Sequence, residues 1–139
     1  KMVGLWNYSS PLNPGVTRGY RDNVALTGNA GDVDQAVHRF LTGGVPQTRE
    51  AVLAAAGAAV QWGEPVRIVV VTTGTADAGN DEEFANAVRP FTDQGVDVTV
   101  VHVGGEPQDQ GLRNVASSDQ HVDGAEGLTD AVKSAAGVK

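Results

Sequence analysis

The sequence contains no cysteine, which excludes disulfides, zinc–thiolate sites and a cysteine nucleophile. This absence does not by itself fix a compartment. Positive charge is scarce: 10 Lys and Arg stand against 17 Asp and Glu, a formal net charge of −7 with a pI near 4.7. Such a balance argues against a nucleic-acid or anionic-membrane surface, which needs a basic patch. No run of five or six like charges forms an acidic or basic tail. No apolar stretch approaches the ~20 residues of a membrane span, and no signal-peptide pattern opens the chain. Catalytic motifs are equally scarce, with neither a Gly-x-Ser-x-Gly elbow nor a Gly-x-x-x-x-Gly-Lys-Ser/Thr phosphate loop.

What remains is ordinary globular composition, 40% hydrophobic and 19% charged over 139 residues. That length suits one domain with a single core. Val3-Gly4-Leu5-Trp6-Asn7-Tyr8 alternates as a strand does and leads into turn chemistry at Ser9-Ser10-Pro11-Leu12-Asn13-Pro14-Gly15. A short second strand is expected at residues 23–26. A helix capped by Asp32 should follow, with Val33, Val37, Phe40 and Leu41 on one stripe. Thr42-Gly43-Gly44-Val45-Pro46 breaks it, and an alanine-rich helix runs over residues 48–61. Residues 66–71, valine-rich and interrupted only by Arg67, read as a central parallel strand. Asn80 and Glu83 form a capping box for a helix that carries Phe84, Ala87, Val88 and Phe91, contains Pro90 and stops at Gly95. A strand at 96–103, a short helix near 110–117, an edge strand of two or three residues near His121 and a helix over 127–136 complete the pattern. Strands alternating with helices define an α/β class with a mostly parallel sheet and helices on both faces, a three-layer arrangement.

Ligands in such folds sit at the carboxyl ends of strands. Thr72-Thr73-Gly74-Thr75-Ala76-Asp77, which follows the central strand, is therefore the first place to look. Other candidates read as structure. Gly28-Asn29-Ala30-Gly31 lacks the three-glycine fingerprint of a phosphate loop, and His38, His102 and His121 are not at ligand spacing. His102 reads as a strand residue near a sheet end, and Asp81, Glu82 and Glu83 suit the positive end of a helix dipole. Trp6 and Trp62 read as core or rim aromatics.

Four segments in order resemble the von Willebrand factor type A (VWA) family. Val3-Gly4-Leu5-Trp6-Asn7-Tyr8-Ser9 is similar to its second strand. Gly43-Gly44-Val45-Pro46 stands where the family has Gly-Gly-Thr-Pro. Ile68–Gly74 stands where it has an apolar strand ending in Thr-Asp-Gly, and Gly95–Gly104 resembles its fifth-strand segment. The resemblance covers nearly the whole chain and implies a Rossmann-like architecture. Family members often bind Mg²⁺ through Asp-x-Ser-x-Ser, a threonine and an aspartate. Here Asp-x-Ser-x-Ser is absent, the threonine position is Val45 and the aspartate position is Thr73. The resemblance thus implies a degenerate metal site, no cofactor, and at most weak Mg²⁺ binding aided by Thr48 and Asp77.

Several expectations follow. The chain reads as one VWA-like domain, residues 1–139, incomplete at its first strand and a fragment of a longer polypeptide with other domains. It reads as a non-catalytic protein-interaction or adhesion-type module, without nucleic-acid binding or membrane insertion, in a bacterial envelope or secreted protein. Its binding rim would be Ser9, Ser10, Thr48, Thr72, Thr73, Thr75 and Asp77. Two other classes stay open. One is a metal-dependent adhesion or sensing module whose Asp-x-Ser-x-Ser lies upstream. The other is a small nucleotide- or cofactor-binding enzyme that uses the 72–77 loop.

Overall fold

The computed structural model describes residues 2–9, 20–37 and 45–137. They divide into two compact units, Lys1–Gln47 and Thr48–Lys139.

In the first unit, strands β1 (Val3–Tyr8) and β2 (Tyr20–Thr27) pair antiparallel, with Tyr8 opposite Tyr20 and Val3 opposite Thr27. The second strand is longer than its apolar residues suggest. Pairing with β1 draws Tyr20, Arg21 and Asp22 into the ladder, a long-range effect that local alternation does not report. Trp6 and Tyr20 stack with ring centroids 5.5 Å apart, a cross-strand aromatic pair of the kind that pins register. The Asn23 amide donates to Asn7 Oδ1. Gly4 permits a close backbone approach, since a Cβ there would lie 2.9 Å from the Val24 carbonyl oxygen.

Helix α1 (Ala30–Val37) begins two residues before the expected cap. Asn29 is the capping residue instead: its Oδ1 accepts from the Gly31 amide at 3.0 Å. Asp32 lies in the first turn and accepts from Thr27 Oγ1 and Asn29 Nδ2. Asn29 wins because its side chain precedes the first helical residue, where the unpaired amides are within reach. Of the expected apolar stripe Val33 is half-buried and Val37 is exposed, while Ala36 is buried. Phe40, Leu41, His38, Ser10 with the turn that follows it, and the Thr42-Gly43-Gly44 break lie outside the described residues.

The second unit is a parallel sheet of three strands in the order β3 (Val66–Thr72), β4 (Val96–Val103), β5 (Ser118–Val122). Its helices are α2 (Thr48–Gln61), α3 (Asp81–Thr92), α4 (Gln110–Val115) and α5 (Leu128–Ala136). Val70, Val98 and Val100 pack on one face against Val52 of α2, Phe84 and Val88 of α3 and Leu112 of α4. Val101 packs on the other face against Ala131 and Ala135 of α5. The layers are thus helix, sheet, helix. Buried Ala56 and Ala59 bring α2 close to Val96, which larger side chains would prevent.

Arg67, the interruption in β3, pairs with Asp97 directly opposite on β4 at 2.9 Å. Asn80 caps α3 through the Glu83 amide at 3.0 Å. Pro90 falls in the last turn of α3, so the helix still reaches Thr92. The last strand, β5, is five residues rather than two or three, because polar Ser118, Asp119 and Gln120 pair in parallel with Thr99, Val100 and Val101. Such residues suit an edge strand, which is why an apolar pattern does not reveal them.

Candidate functional site

The carboxyl ends of β3 and β4 and the start of α2 bring together a rim of loops. At the end of β3 the Thr72 hydroxyl donates to the Gly74 carbonyl at 2.6 Å and accepts from the Gly74 amide at 3.1 Å. Thr48, the first residue of α2, donates to the same carbonyl at 2.9 Å. Two threonines thus hold one turn, and both are buried, Thr48 at 0% and Thr72 at 5% exposure. Their hydroxyls point inward, and of this stretch Thr73 is exposed. The Thr75 hydroxyl is buried and makes no hydrogen bond of ordinary geometry. It nevertheless stands near enough to the Asp109 carboxylate to favour its charged form.

Asp77 caps α2 from a distance. Its Oδ1 accepts from the Arg49 amide at 3.2 Å and its Oδ2 from the Glu50 amide at 2.9 Å. A carboxylate there satisfies two otherwise unpaired amides and opposes the positive end of the helix dipole. Of the remaining residues expected on the rim, Ser9 follows β1 in the first unit and is half-buried, and Ser10 lies outside the described residues. Val45, also of the first unit, is 51% exposed.

Sequence reasoning missed Arg49, which organises the rest of the rim. Its guanidinium grips Asp109 with two bonds, Nε to Oδ2 at 2.9 Å and Nη2 to Oδ1 at 2.7 Å. The same Nη2 donates to Asp81 Oδ1 at 2.6 Å, and Nη1 reaches the Gly79 carbonyl at 3.4 Å. The guanidinium carbon lies 5.0 Å from the Phe84 ring centroid, a cation–π arrangement. The Arg49 and Asp109 side chains are 7% and 2% exposed, whereas Asp81 is 47% exposed. Gly111 leaves room for this group, since a Cβ there would come within 2.5 Å of Arg49 Nη2.

The charges respond accordingly. Hydrogen bonding to Asp109 is the largest influence on Arg49; it raises the guanidinium further above its ordinary value, against the opposing cost of burial. Burial pushes Asp109 upward, but the Arg49 hydrogen bond, the Leu112 amide and Thr75 together hold its carboxyl below the ordinary value. Asp109 also caps α4, accepting from the Leu112 amide at 2.9 Å. A signal for Arg49 does exist in the sequence: a cation in a helix's first turn opposes the dipole and calls for local carboxylates.

The loop after β4 has a second anchor. His102, 2% exposed, sits in register between Thr72 and His121. His102 Nε2 bonds the Glu106 carbonyl at 2.9 Å and His121 Nε2 bonds the Gly104 carbonyl at 2.7 Å. As expected, His102 is a strand residue at a sheet end. Among the described residues no three His, Asp or Glu side chains gather as a metal site requires.

No family model matches the sequence, and no curated protein matches it. Solved structures do. The SpRpn10 VWA domain aligns with a TM-score of 0.72 at 15% identity, covering 96% of this chain and 71% of that one. Proximal thread matrix protein 1 from the mussel byssus aligns with a TM-score of 0.74 at 13% identity, covering 97% of this chain and 36% of that one. A second structure of that protein gives a TM-score of 0.69 at 14% identity, covering 96% of this chain and 34% of that one.

The chain has a VWA-like fold. Within the segments Val3–Ser9 and Gly95–Gly104, Val3–Tyr8 and Val96–Val103 form the strands β1 and β4. The 72–77 turn lies at the carboxyl end of β3, while Gly43 and Gly44 fall outside the described residues. Among the described residues no helix of this VWA-like chain is long and apolar enough to cross a membrane.

Proposed function

We propose that this chain is a non-catalytic protein-interaction module that recognises its partner with the rim at the strand carboxyl ends, and that its family-type metal site has degenerated. The observation that supports this reading most is the engagement of the rim carboxylates. Asp77 is spent on the amides of Arg49 and Glu50, and Asp81 and Asp109 on the Arg49 guanidinium. A hard divalent ion needs several converging oxygens with one or two free carboxylates. The residues present do not suit one: Thr48 and Thr72 direct their hydroxyls at Gly74, and Thr73 is neutral. The α2 amides that would attract a phosphate are taken by Asp77, which weighs against a nucleotide site.

The surface left for a partner mixes polar Thr73, Asn80 and Glu106 with small apolar Ala76, Ala78 and Pro107, all exposed. Hydrogen bonds there contribute about 1 kcal/mol each. A bacterial envelope or secreted setting, beside other domains of one polypeptide, completes the proposal.

Two measurements test it. Calorimetric titration with Mg²⁺, Mn²⁺ and Ca²⁺ should give no saturable heat; tight binding lost in Asp77→Asn would overturn the degenerate-site reading. A photo-cross-linking residue at Thr73 should capture a protein partner in the native host, and one at Arg67, at the amino end of the same strand, should not. Equal capture from both ends would contradict recognition by the rim.

A further inference from the structure

The rim has a cation of its own. We infer that the Arg49 guanidinium is a built-in positioning group that orders the loops after β3 and β4 as one surface, so that the rim is preorganised without a bound ion. This rests on the rim being the recognition surface.

The geometry is specific to a guanidinium. From one residue, contacts run to Gly79 in the loop before α3, to Asp81 at its first position and to Asp109, the cap of α4. The backbone amide of the same residue holds Asp77. One side chain and its own amide thus fix two loops that are far apart in sequence. The fork of donors matches the Asp109 carboxylate with two bonds, and the guanidinium carbon stands 5.0 Å from the Phe84 ring centroid. An ammonium group can stand over the ring but cannot reproduce the two-point grip on Asp109. The space is cut to the same shape: a Cβ at Gly111 would meet Nη2 at 2.5 Å, Cζ at 2.9 Å and Asp81 Oδ1 at 2.8 Å.

The two arms differ in kind. The Asp109 arm is dry on both sides and keeps the guanidinium permanently paired. The Asp81 arm has one wet partner, 47% exposed, and can exchange with solvent. Arg49 therefore anchors firmly to the loop after β4 and more loosely to the loop after β3. An ordinary core ion pair would stabilise the unit as a whole and leave no local mark on the loops.

Native-state hydrogen exchange on the full chain separates these cases. The reporters are amides bonded within the rim, those of Glu50, Gly74 and Leu112, with Val98 in β4 as the core reference. In Arg49→Lys, the rim amides are expected to exchange at least about tenfold faster at matched global stability, because local opening is governed separately from global unfolding. Val88→Ala, a core truncation, supplies the stability match. Rim amides that accelerate only in step with Val98, as in Val88→Ala, would overturn the inference. Should Arg49→Lys fail to fold, Asp81→Asn serves. It should quicken Gly74 and Glu50 and leave Leu112 and Val98 unchanged, and uniform change or no change would overturn it. Millimolar Mg²⁺ that slows the wild-type rim amides would instead sink the metal-free reading of the rim. A cross-link partner found only away from Thr73 would remove the rim as recognition surface while leaving the ordering by Arg49 intact.

Discussion

Asp77 reaches across the rim and accepts the Glu50 amide at 2.9 Å, so the loop after β3 is the cap of a helix that begins 29 positions earlier in the chain. The carboxylate that could serve a ligand is thereby given a structural task. Replacing it with alanine removes a cap, a change that typically costs about 1 kcal/mol. Urea denaturation of Asp77→Ala should show a lowered midpoint with an unchanged slope. A variant as stable as the parent would contradict the capping role.

The buried and exposed partners of Arg49 should behave differently. Removing one member of a buried ion pair leaves an uncompensated charge and costs about 3–5 kcal/mol. Asp109, 2% exposed and also the cap of α4, falls in that class. Asp81 is 47% exposed, and a solvated pair contributes roughly 0–1 kcal/mol. Denaturation of Asp109→Ala and Asp81→Ala should therefore give sharply unequal losses. Equal losses would contradict the burial argument.

Much of this is legible in the sequence, and the reason is local. Strand β4 and helix α2 show themselves through a valine run and an alanine-rich segment between glycine and proline breaks, features a short window contains. Strand β2 runs further than its apolar residues predict and Asn29, rather than Asp32, caps α1, because the partner strand and neighbouring side chains decide those ends. Of the candidate rim, Thr72, Thr73, Thr75 and Asp77 follow from one strand end, whereas Arg49 depends on Asp109, 60 residues away. The first turn of α2 marks Arg49 as a cation that calls for carboxylates, but no local pattern names Asp109 as its partner. Burial also reverses the apparent role of Thr48 and Thr72, whose hydroxyls look available in the sequence and are directed at Gly74 in the fold.

Acid should act through Asp109. Its folded-state value lies below the ordinary 3.8, so the carboxylate contributes stability that is fully present above that value. The contribution is lost as pH falls below 3.8 toward the lower folded value, because the unfolded chain takes up the proton first. Arg49, raised further, stays charged throughout. Stability measured against pH should fall more gently below about pH 4 in Asp109→Asn than in the parent. Parallel curves would contradict the assignment.

Gly111 gives a test of shape alone. Alanine favours a helix over glycine by about 1 kcal/mol. Here its Cβ would press on Nη2 at 2.5 Å and on Asp81 at 2.8 Å. Overpacking of that kind costs about 1–3 kcal/mol, so Gly111→Ala should lower stability rather than raise it. Combined with Arg49→Met it should be tolerated better than alone. A stabilising Gly111→Ala in the parent would show that the guanidinium is not held as described.

A rim ordered by Arg49 needs no bound ion. The amide resonances of residues 72–77, followed by NMR while Mg²⁺ is added to the millimolar range, test it most directly. They should stay in place, apart from small unsaturable drifts. Saturable shifts centred on Thr72, Thr73 and Asp77 would contradict it.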